Sequence, residues 1–471
     1  MAKRDIVFRT FTLVVAEVGL VISAVLLSLY IRFQDAFYEM LLVRGGIIKV
    51  LITAAVFQIV FYLFGLYDLS NARSRRDLFA SIVQAVAIAW ILLGVIFLLI
   101  PDMLIGYSED GGEIIYAQGV PITAMVMTLL MMICWRIAIH WLLSHPMFGE
   151  KILIVGTGNS AVELAREVLS RRDLGYRVIG FVGDDPNQVG KSLFNPSVIG
   201  TVNQLNDIVR RERIDRVVVA LSDRRGFLPV DQLLKLRLQS ETAIEEGTSL
   251  YERITGKVSV EMLRPSWIIF SGGTKRSRAW YAVHRGSNIA LAVFGTILSA
   301  PICLLTAIAI KLESPGPVLY KQERVGKNGK PFTIYKFRSM RQDAEKDVPV
   351  WAQKSDDRTT RVGKFIRKVR IDELPQFINV LRGEMGFVGP RPERPFFVEQ
   401  LNEVIPFYSQ RHLVEPGLTG WAQVRYDYGA SVEDALQKLQ YDLYYIKNAS
   451  LMFDLWILLE TVKIVLFGRG R

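Results

Sequence analysis

Four apolar runs fill the first third of the chain: about Phe11 to Ile31, Ile47 to Leu66, Leu78 to Ile100 and Val120 to Leu143. Each is close to the roughly 20 residues a helix needs to cross a bilayer, and in hydrocarbon only helices and closed barrels pair all their own backbone polar groups. Residues 1–149 are therefore expected to form a four-helix transmembrane bundle. No cleavage site of small residues follows the first run, so it reads as a retained span. Lys3, Arg4 and Arg9 precede the first span, and Arg73, Arg75 and Arg76 fill the gap before the third. The loop before the fourth carries Asp102, Glu109, Asp110 and Glu113 with no Lys or Arg. The positive-inside rule puts both ends of such a bundle in the cytoplasm. Glu17 is read as the one deep charge and is given no role.

At 471 residues and 51% hydrophobic content, the chain has room for several domains, part of them in lipid. Its net charge of +11 is best explained by a basic face toward anionic headgroups and substrate phosphates, without nucleic acid. Cys134 and Cys303 lie in apolar runs and read as packing residues, and the histidines (His140, His145, His284, His412) form no HExxH-like pair. Neither a disulfide framework nor a zinc site is expected.

Residues 150–270 read as a Rossmann-like α/β domain. A buried strand, Lys151 to Gly156, is followed by Gly156, Gly158 and Ala161 at GxGxxA spacing and by an amphipathic helix through Val168. A second strand, Arg177 to Val182, ends at Asp184 and Asp185, and a third covers Arg216 to Leu221. Gly156, Gly158 and Asp184 mark a candidate nucleotide site. No Tyr-x-x-x-Lys pair supplies acid–base chemistry, so a regulatory or structural role is favoured over a second enzyme.

Residues 280–471 open with a fifth apolar segment, Ile289 to Ile310, interrupted by Ser299 and Pro301 and flanked on both sides by basic residues. A full crossing would leave the arginine-rich remainder outside, so a helix broken at Pro301 that re-enters the same face is expected. Downstream, Asp372 and Glu373 sit between Arg367, Arg370 and the Gly-Pro-Arg-Pro run of Pro390, Arg391 and Pro392, with Arg358 and Arg361 further ahead. Pro375 suits a first helical turn, which would set both carboxylates at a positively polarised helix end. Adjacent carboxylates among guanidinium groups suit metal-assisted phosphate chemistry; a helix cap with surface ion pairs is the plainer alternative. Glu415 to Gln423 forms a Gly-rich loop, and Leu451 to Phe467 reads as a membrane-surface helix.

The segments GPVLYKQERVGKNGKPFTIYKFRSM, TTRVGKFIRKVRIDELPQFINVLRGEMGFVGPRP and RHLVEPGLTGWAQV resemble, in order and spacing, the monotopic phosphoglycosyl transferases, bacterial enzymes that load sugar-1-phosphate onto a polyprenyl phosphate. With the bundle and Rossmann-like domain in front, the chain is similar to their large, exopolysaccharide-initiating branch. The resemblance implies a monotopic α+β catalytic domain on the cytoplasmic face of a bacterial inner membrane, with UDP-sugar, polyprenyl phosphate and membrane lipids as partners. It implies Asp372 as nucleophile on the donor's β-phosphorus with release of UMP, and Mg2+ held by Asp372 and Glu373. It further implies Arg367 on a phosphate and Pro390, Arg391 and Pro392 on the nucleotide side. After Gln423 the sequence VRYDYGAS replaces the Asn-Gly-Arg-like continuation of many members, which leaves the donor sugar unassigned. Homo-oligomerisation is left open. The rival readings are a membrane-tethered nucleotide-binding sensor or scaffold and an NAD-dependent nucleotide-sugar oxidoreductase.

Overall fold

The computed structural model describes residues 2–43, 45–67, 75–99, 105–107, 113–115, 120–144, 149–171, 175–221, 229–261, 277–341, 358–426, 429 and 431–467. Arg73, Asp102, Glu109 and Asp110, used above for orientation, lie outside these residues. The chain divides into two compact units, Met1–Ile254 and Thr255–Arg471.

The first unit begins with four long helices on the four apolar runs: α1 (Ala2–Phe33), α2 (Gly46–Leu63), α3 (Arg75–Leu99) and α4 (Val120–Ser144). Each contains a stretch long and apolar enough to cross a membrane. A short antiparallel pair, β1 (Ile105–Tyr107) and β2 (Glu113–Ile115), lies between α3 and α4. Phe57 and Phe61 of α2 meet edge to face at 5.5 Å and pack with Val21, Leu93 and Met132. Ala85 and Ala89, one turn apart on α3, keep that face slim enough for close helix approach. Apolar side chains such as Ile91 and Ile137 remain on the outside, as lipid requires.

Glu17 of α1 pairs with Arg136 of α4 at 2.7 Å, with side-chain exposures of 0% and 9%. The expectation of a single deep charge is thereby corrected, because Arg136 also lies within an apolar run. Either charge buried alone would be expensive; together they neutralise each other. The Ser28 and Thr123 hydroxyls bond across the same two helices, so α1 is held to α4 at two levels.

The soluble part of this unit comprises β3 (Glu150–Val155), α5 (Asn159–Ser170), β4 (Tyr176–Gly183), β5 (Val198–Thr201), α6 (Leu205–Glu212), β6 (Arg216–Val219), α7 (Val230–Gln239), β7 (Ala243–Glu246) and α8 (Gly247–Thr255). The strands form one parallel sheet in the order β5-β4-β3-β6-β7. Strand order reverses between β3 and β6, the place where an open α/β sheet leaves a crevice at its carboxyl edge. Gly156 follows β3 with φ +128°, and a β-carbon there would lie 2.6 Å from the Ala220 carbonyl oxygen, so the position demands glycine. Gly158 caps α5, and Asp184 is exposed just past β4.

The second unit takes its first core residues from Val258 and Val260. Val258 donates its N–H to the Gln440 carbonyl at 3.0 Å, and the Gly256 carbonyl accepts from Trp421 Nε1 at 2.8 Å. A 36-residue helix, α9 (Arg278–Glu313), follows behind an N-cap at Ser277. It buries Asn288, Ala292, Ser299, Thr306 and Ile310 along one stripe and exposes apolar residues such as Phe294, Ile297 and Leu305 elsewhere. Helical backbone runs through Pro301, where the sequence predicts a break; a prolyl ring can bend a helix while the turns on either side stay formed.

Beyond α9 the chain forms the antiparallel hairpin β8 (Leu319–Val325) and β9 (Pro331–Phe337), then α10 (Arg361–Lys368), a 3-10 segment (Ile371–Gln376) and α11 (Phe377–Arg382). β10 (Gly386–Val388), α12 (Pro395–Val404), β11 (Gly417–Thr419), α13 (Trp421–Arg425), α14 (Val432–Asn448) and α15 (Leu451–Phe467) complete it, with β10 and β11 parallel. Trp421 anchors the core, with Phe453 and Trp456 each 5.1 Å away between ring centres.

Two stability outcomes follow from these contacts. Arg136→Ala should destabilise the bundle by about 3 kcal/mol, and Glu17→Gln combined with Arg136→Gln should recover most of the loss; thermal unfolding in detergent measures both. Trp421→Phe keeps an aromatic side chain, smaller by the pyrrole ring, and strips the Gly256 carbonyl of its donor, and chemical denaturation should register a loss of about 1–3 kcal/mol.

Candidate active site

The second unit gathers its charges around the 3-10 segment. Arg370 adopts the left-handed conformation at φ 61°, which turns the chain so that Asp372 and Glu373 both fall in the first turn of that segment. Pro375 lies inside it and α11 begins only at Phe377, so the helical end that carries the pair is a 3-10 turn where an α-helix was expected. Asp372 and Glu373 are 8% and 9% exposed.

The two carboxylates live in different surroundings. Glu373 Oε1 receives Lys336 Nζ at 3.0 Å and Arg391 Nη2 at 3.1 Å, while Arg370 Nη1 stands 3.7 Å from Oε2. Burial would raise its pKa, but Lys336, Arg391 and Arg370 hold the carboxyl well below the usual range. Asp372 forms no hydrogen bond or close ion pair among the described residues. Burial, and then the Glu373 charge beside it, push Asp372 up to about 6 against the pull of Lys336, Arg391 and Arg367. An unpaired, partly desolvated carboxylate beside a cluster of fixed cations suits attack on a phosphorus carrying several negative oxygens.

The other sequence-predicted residues spread around this centre. Arg367, in the last turn of α10, reaches Thr359 Oγ1 at 3.4 Å and acts on Asp372 through its charge. Arg361 heads α10 with its side chain exposed and its N–H on Glu313 Oε1 at 2.6 Å. The Arg358 carbonyl pairs with the Arg341 N–H at 3.0 Å. Ser299 and Pro301 lie within α9.

Several supporting residues escaped the sequence reading. Asn379, fully buried, accepts from the Tyr335 N–H at 3.2 Å and donates to Thr333 O at 2.6 Å and Glu384 Oε2 at 2.7 Å, holding α11 to the free edge of β9. Asn288 accepts from the Phe387 N–H at 2.7 Å, tying α9 to β10. Arg285 donates to the Val380 and Leu381 carbonyls at 2.6 and 2.7 Å and so caps the end of α11. Arg338 grips the Ser314 and Pro315 carbonyls at 2.8 and 2.7 Å, fixing the exit from α9. The available signals were polar or charged residues inside otherwise apolar segments, as with Asn288 in α9 and Lys336 in β9.

The loop carrying Arg391 is held from outside. Four successive carbonyls are each taken: Pro390 by the Gly417 N–H at 3.0 Å, Arg391 by Arg411 Nη2 at 3.0 Å, Pro392 by Arg324 Nη1 at 3.0 Å and Glu393 by the Val325 N–H at 2.9 Å. Arg411 is buried against Asp442 Oδ2 at 2.8 Å and stacks on Tyr408. A small pocket beside the loop is lined by Pro390, Arg391, Pro392, His412 and Pro416, among others. Burial and the neighbouring Arg411 depress the His412 imidazole to about 4, which keeps it neutral near pH 7.

Comparison with known proteins identifies the family. The bacterial sugar transferase family profile matches residues 279–468, and a CoA-binding domain profile matches residues 62–235. The chain is 48% identical over 258 residues to the UDP-N-acetylgalactosamine-undecaprenyl-phosphate N-acetylgalactosaminephosphotransferase of Aeromonas hydrophila, covering 55% of this chain and 60% of that protein. It is 32% identical over 331 residues to the UDP-glucose:undecaprenyl-phosphate glucose-1-phosphate transferase of Escherichia coli, covering 70% of each. The exopolysaccharide production protein PSS of Rhizobium leguminosarum is 43% identical over 185 residues, 38% of this chain and 92% of that protein. A buried Asp–Glu pair ringed by lysine and arginine, a helical membrane bundle and relatives of this kind lead to one conclusion: this membrane protein belongs to the bacterial sugar transferase family.

Proposed function

We propose that the chain transfers a sugar-1-phosphate from a UDP-sugar to a polyprenyl phosphate, as the first membrane step of exopolysaccharide synthesis. The observation that carries this reading is the asymmetry of the acidic pair: Glu373 is clamped by Lys336 and Arg391, while the Asp372 carboxylate has no hydrogen bond or ion pair among the described residues. An Asp372 oxygen attacks the β-phosphorus of the donor, the bond to the α-phosphate oxygen breaks, and UMP leaves. The sugar phosphate is then an acyl phosphate on Asp372. An oxygen of the lipid phosphate attacks the same phosphorus, breaks its bond to the Asp372 oxygen and restores the carboxylate, giving a polyprenyl diphosphate sugar. Two easier displacements replace one hard one.

Lys336, Arg391 and Arg367 offset the charge that builds up when an anionic nucleophile meets an anionic diphosphate. Magnesium fits the donor set, since this small hard cation is commonly held by one or two carboxylates and completed by phosphate oxygens and water. Among the described residues no ion pair engages Asp372, and Glu373 Oε2 faces only Arg370 Nη1, at 3.7 Å, so these two residues would hold it. When bound, the ion supplies further positive charge against the diphosphate.

The basic residues near both ends of α9, Arg285 and Lys311, with Pro301 midway, support a helix that enters and leaves the membrane on one side and a catalytic unit on the cytoplasmic face of the inner membrane. The carboxyl edge of β3 and β4, with Gly156, Gly158 and Asp184, supports a regulatory or structural role for the sheet domain.

The test is product analysis on purified protein with Mg2+, polyprenyl phosphate and a panel of UDP-sugars. UMP and a lipid-linked diphosphate sugar are the expected products; UDP release or a nicotinamide absorbance change would refute the proposal. Asp372→Asn should lower turnover by at least about 1000-fold with an unchanged melting curve, and should abolish the phosphosugar adduct that mass spectrometry is expected to show on the parent. Arg391→Ala should lower turnover by about 100-fold.

A further inference from the structure

We infer that Arg411, backed by Asp442, is a positioning residue whose task is to aim Arg391 at the acidic pair. The inference rests on the transferase reading above and adds a residue to it. The loop from Pro390 to Glu393 belongs to no strand or helix, and its two prolines contribute no N–H groups. Its main chain is therefore fixed by donors from elsewhere, two of which are guanidinium groups: Arg411 on the Arg391 carbonyl and Arg324 on the next one, that of Pro392, each at 3.0 Å.

Arg411 is poorly explained as a source of stability. It is 5% exposed and its partner Asp442 is 1% exposed, and a buried ion pair is commonly no more stabilising than apolar residues of the same volume. What the pair supplies is geometry. The guanidinium is a planar fork of donors, and here Nη2 meets both Asp442 Oδ2 at 2.8 Å and the Arg391 carbonyl at 3.0 Å, while Nη1 meets the Tyr408 hydroxyl. With its carbonyl pinned from behind, Arg391 reaches forward to Glu373 Oε1 at 3.1 Å, its side chain still 36% exposed on the open side of the site. A lysine at 411 would keep the charge but could not span the same partners.

The test uses full-length protein in lipid nanodiscs and reads the UMP burst without acceptor, which isolates the first half-reaction. Arg411→Lys should slow the burst by about 10- to 100-fold, the usual penalty for a small misplacement of a catalytic group. In an Arg391→Ala background the same substitution should change the rate by less than about twofold, because the group it positions is gone. Asp442→Asn, which keeps Arg411 but removes the charge that backs it, should show the same loss and the same silence, and it decides the matter if Arg411→Lys fails to fold. Parent-like bursts in the folded single variants, or losses that multiply with Arg391→Ala, would overturn the inference. Absence of UMP from the parent would instead refute the transferase reading, so the two failures are distinguishable.

Discussion

Two neighbouring carboxylates in one poorly solvated turn cannot both be fully charged without compensation, and the way this chain distributes its cations resolves the conflict. Lys336 and Arg391 contact Glu373 directly and Arg370 stands close by, whereas Asp372 feels those charges only from a distance. One acid is locked as an anion and becomes part of the scaffold; its neighbour stays available. Like charges side by side commonly separate in this way, one strongly ionised and the other raised. Arg411 and Arg324 in turn hold the loop that carries Arg391.

That scaffolding is polar. Asn379 replaces a missing strand partner along β9, Asn288 does the same for β10, and Arg285 and Arg338 tie down carbonyls at the ends of α11 and α9. Each of these side chains satisfies backbone groups that would otherwise be buried unpaired. Glu313, the last residue of α9, binds the Arg361 and Val362 N–H groups at 2.6 and 3.1 Å, so the long apolar helix ends on the positively polarised start of α10. The same helix that exposes apolar side chains along much of its surface thus contributes directly to the frame of the polar site.

Much of this was legible in the sequence because it depends on local pattern. Apolar runs of spanning length became helices, the GxGxxA spacing became a tight turn between β3 and α5, and Leu451 to Phe467 became a helix over the same residues. The acidic pair and Arg391 could be singled out because they cluster in the chain. Asn379 and Asp442 could not, since their meaning depends on partners far away in sequence. Arg136 was overlooked for the opposite reason: a single charge among apolar neighbours reads as noise until Glu17 is found beside it. Pro301 shows the limit of a residue rule, as the helix keeps its backbone conformation on both sides of it.

The indole of Trp421 closes on the Gly256 carbonyl, and Val258 and Val260 join the same core. The folded body of the second unit therefore starts at Thr255, upstream of residue 279, where the recognisable transferase sequence begins. Homology and architecture place the seam differently. A chimera joined at 279 would separate a tryptophan from the peptide it leans on, whereas one joined at the earlier seam would carry the transferase module away with its own lining.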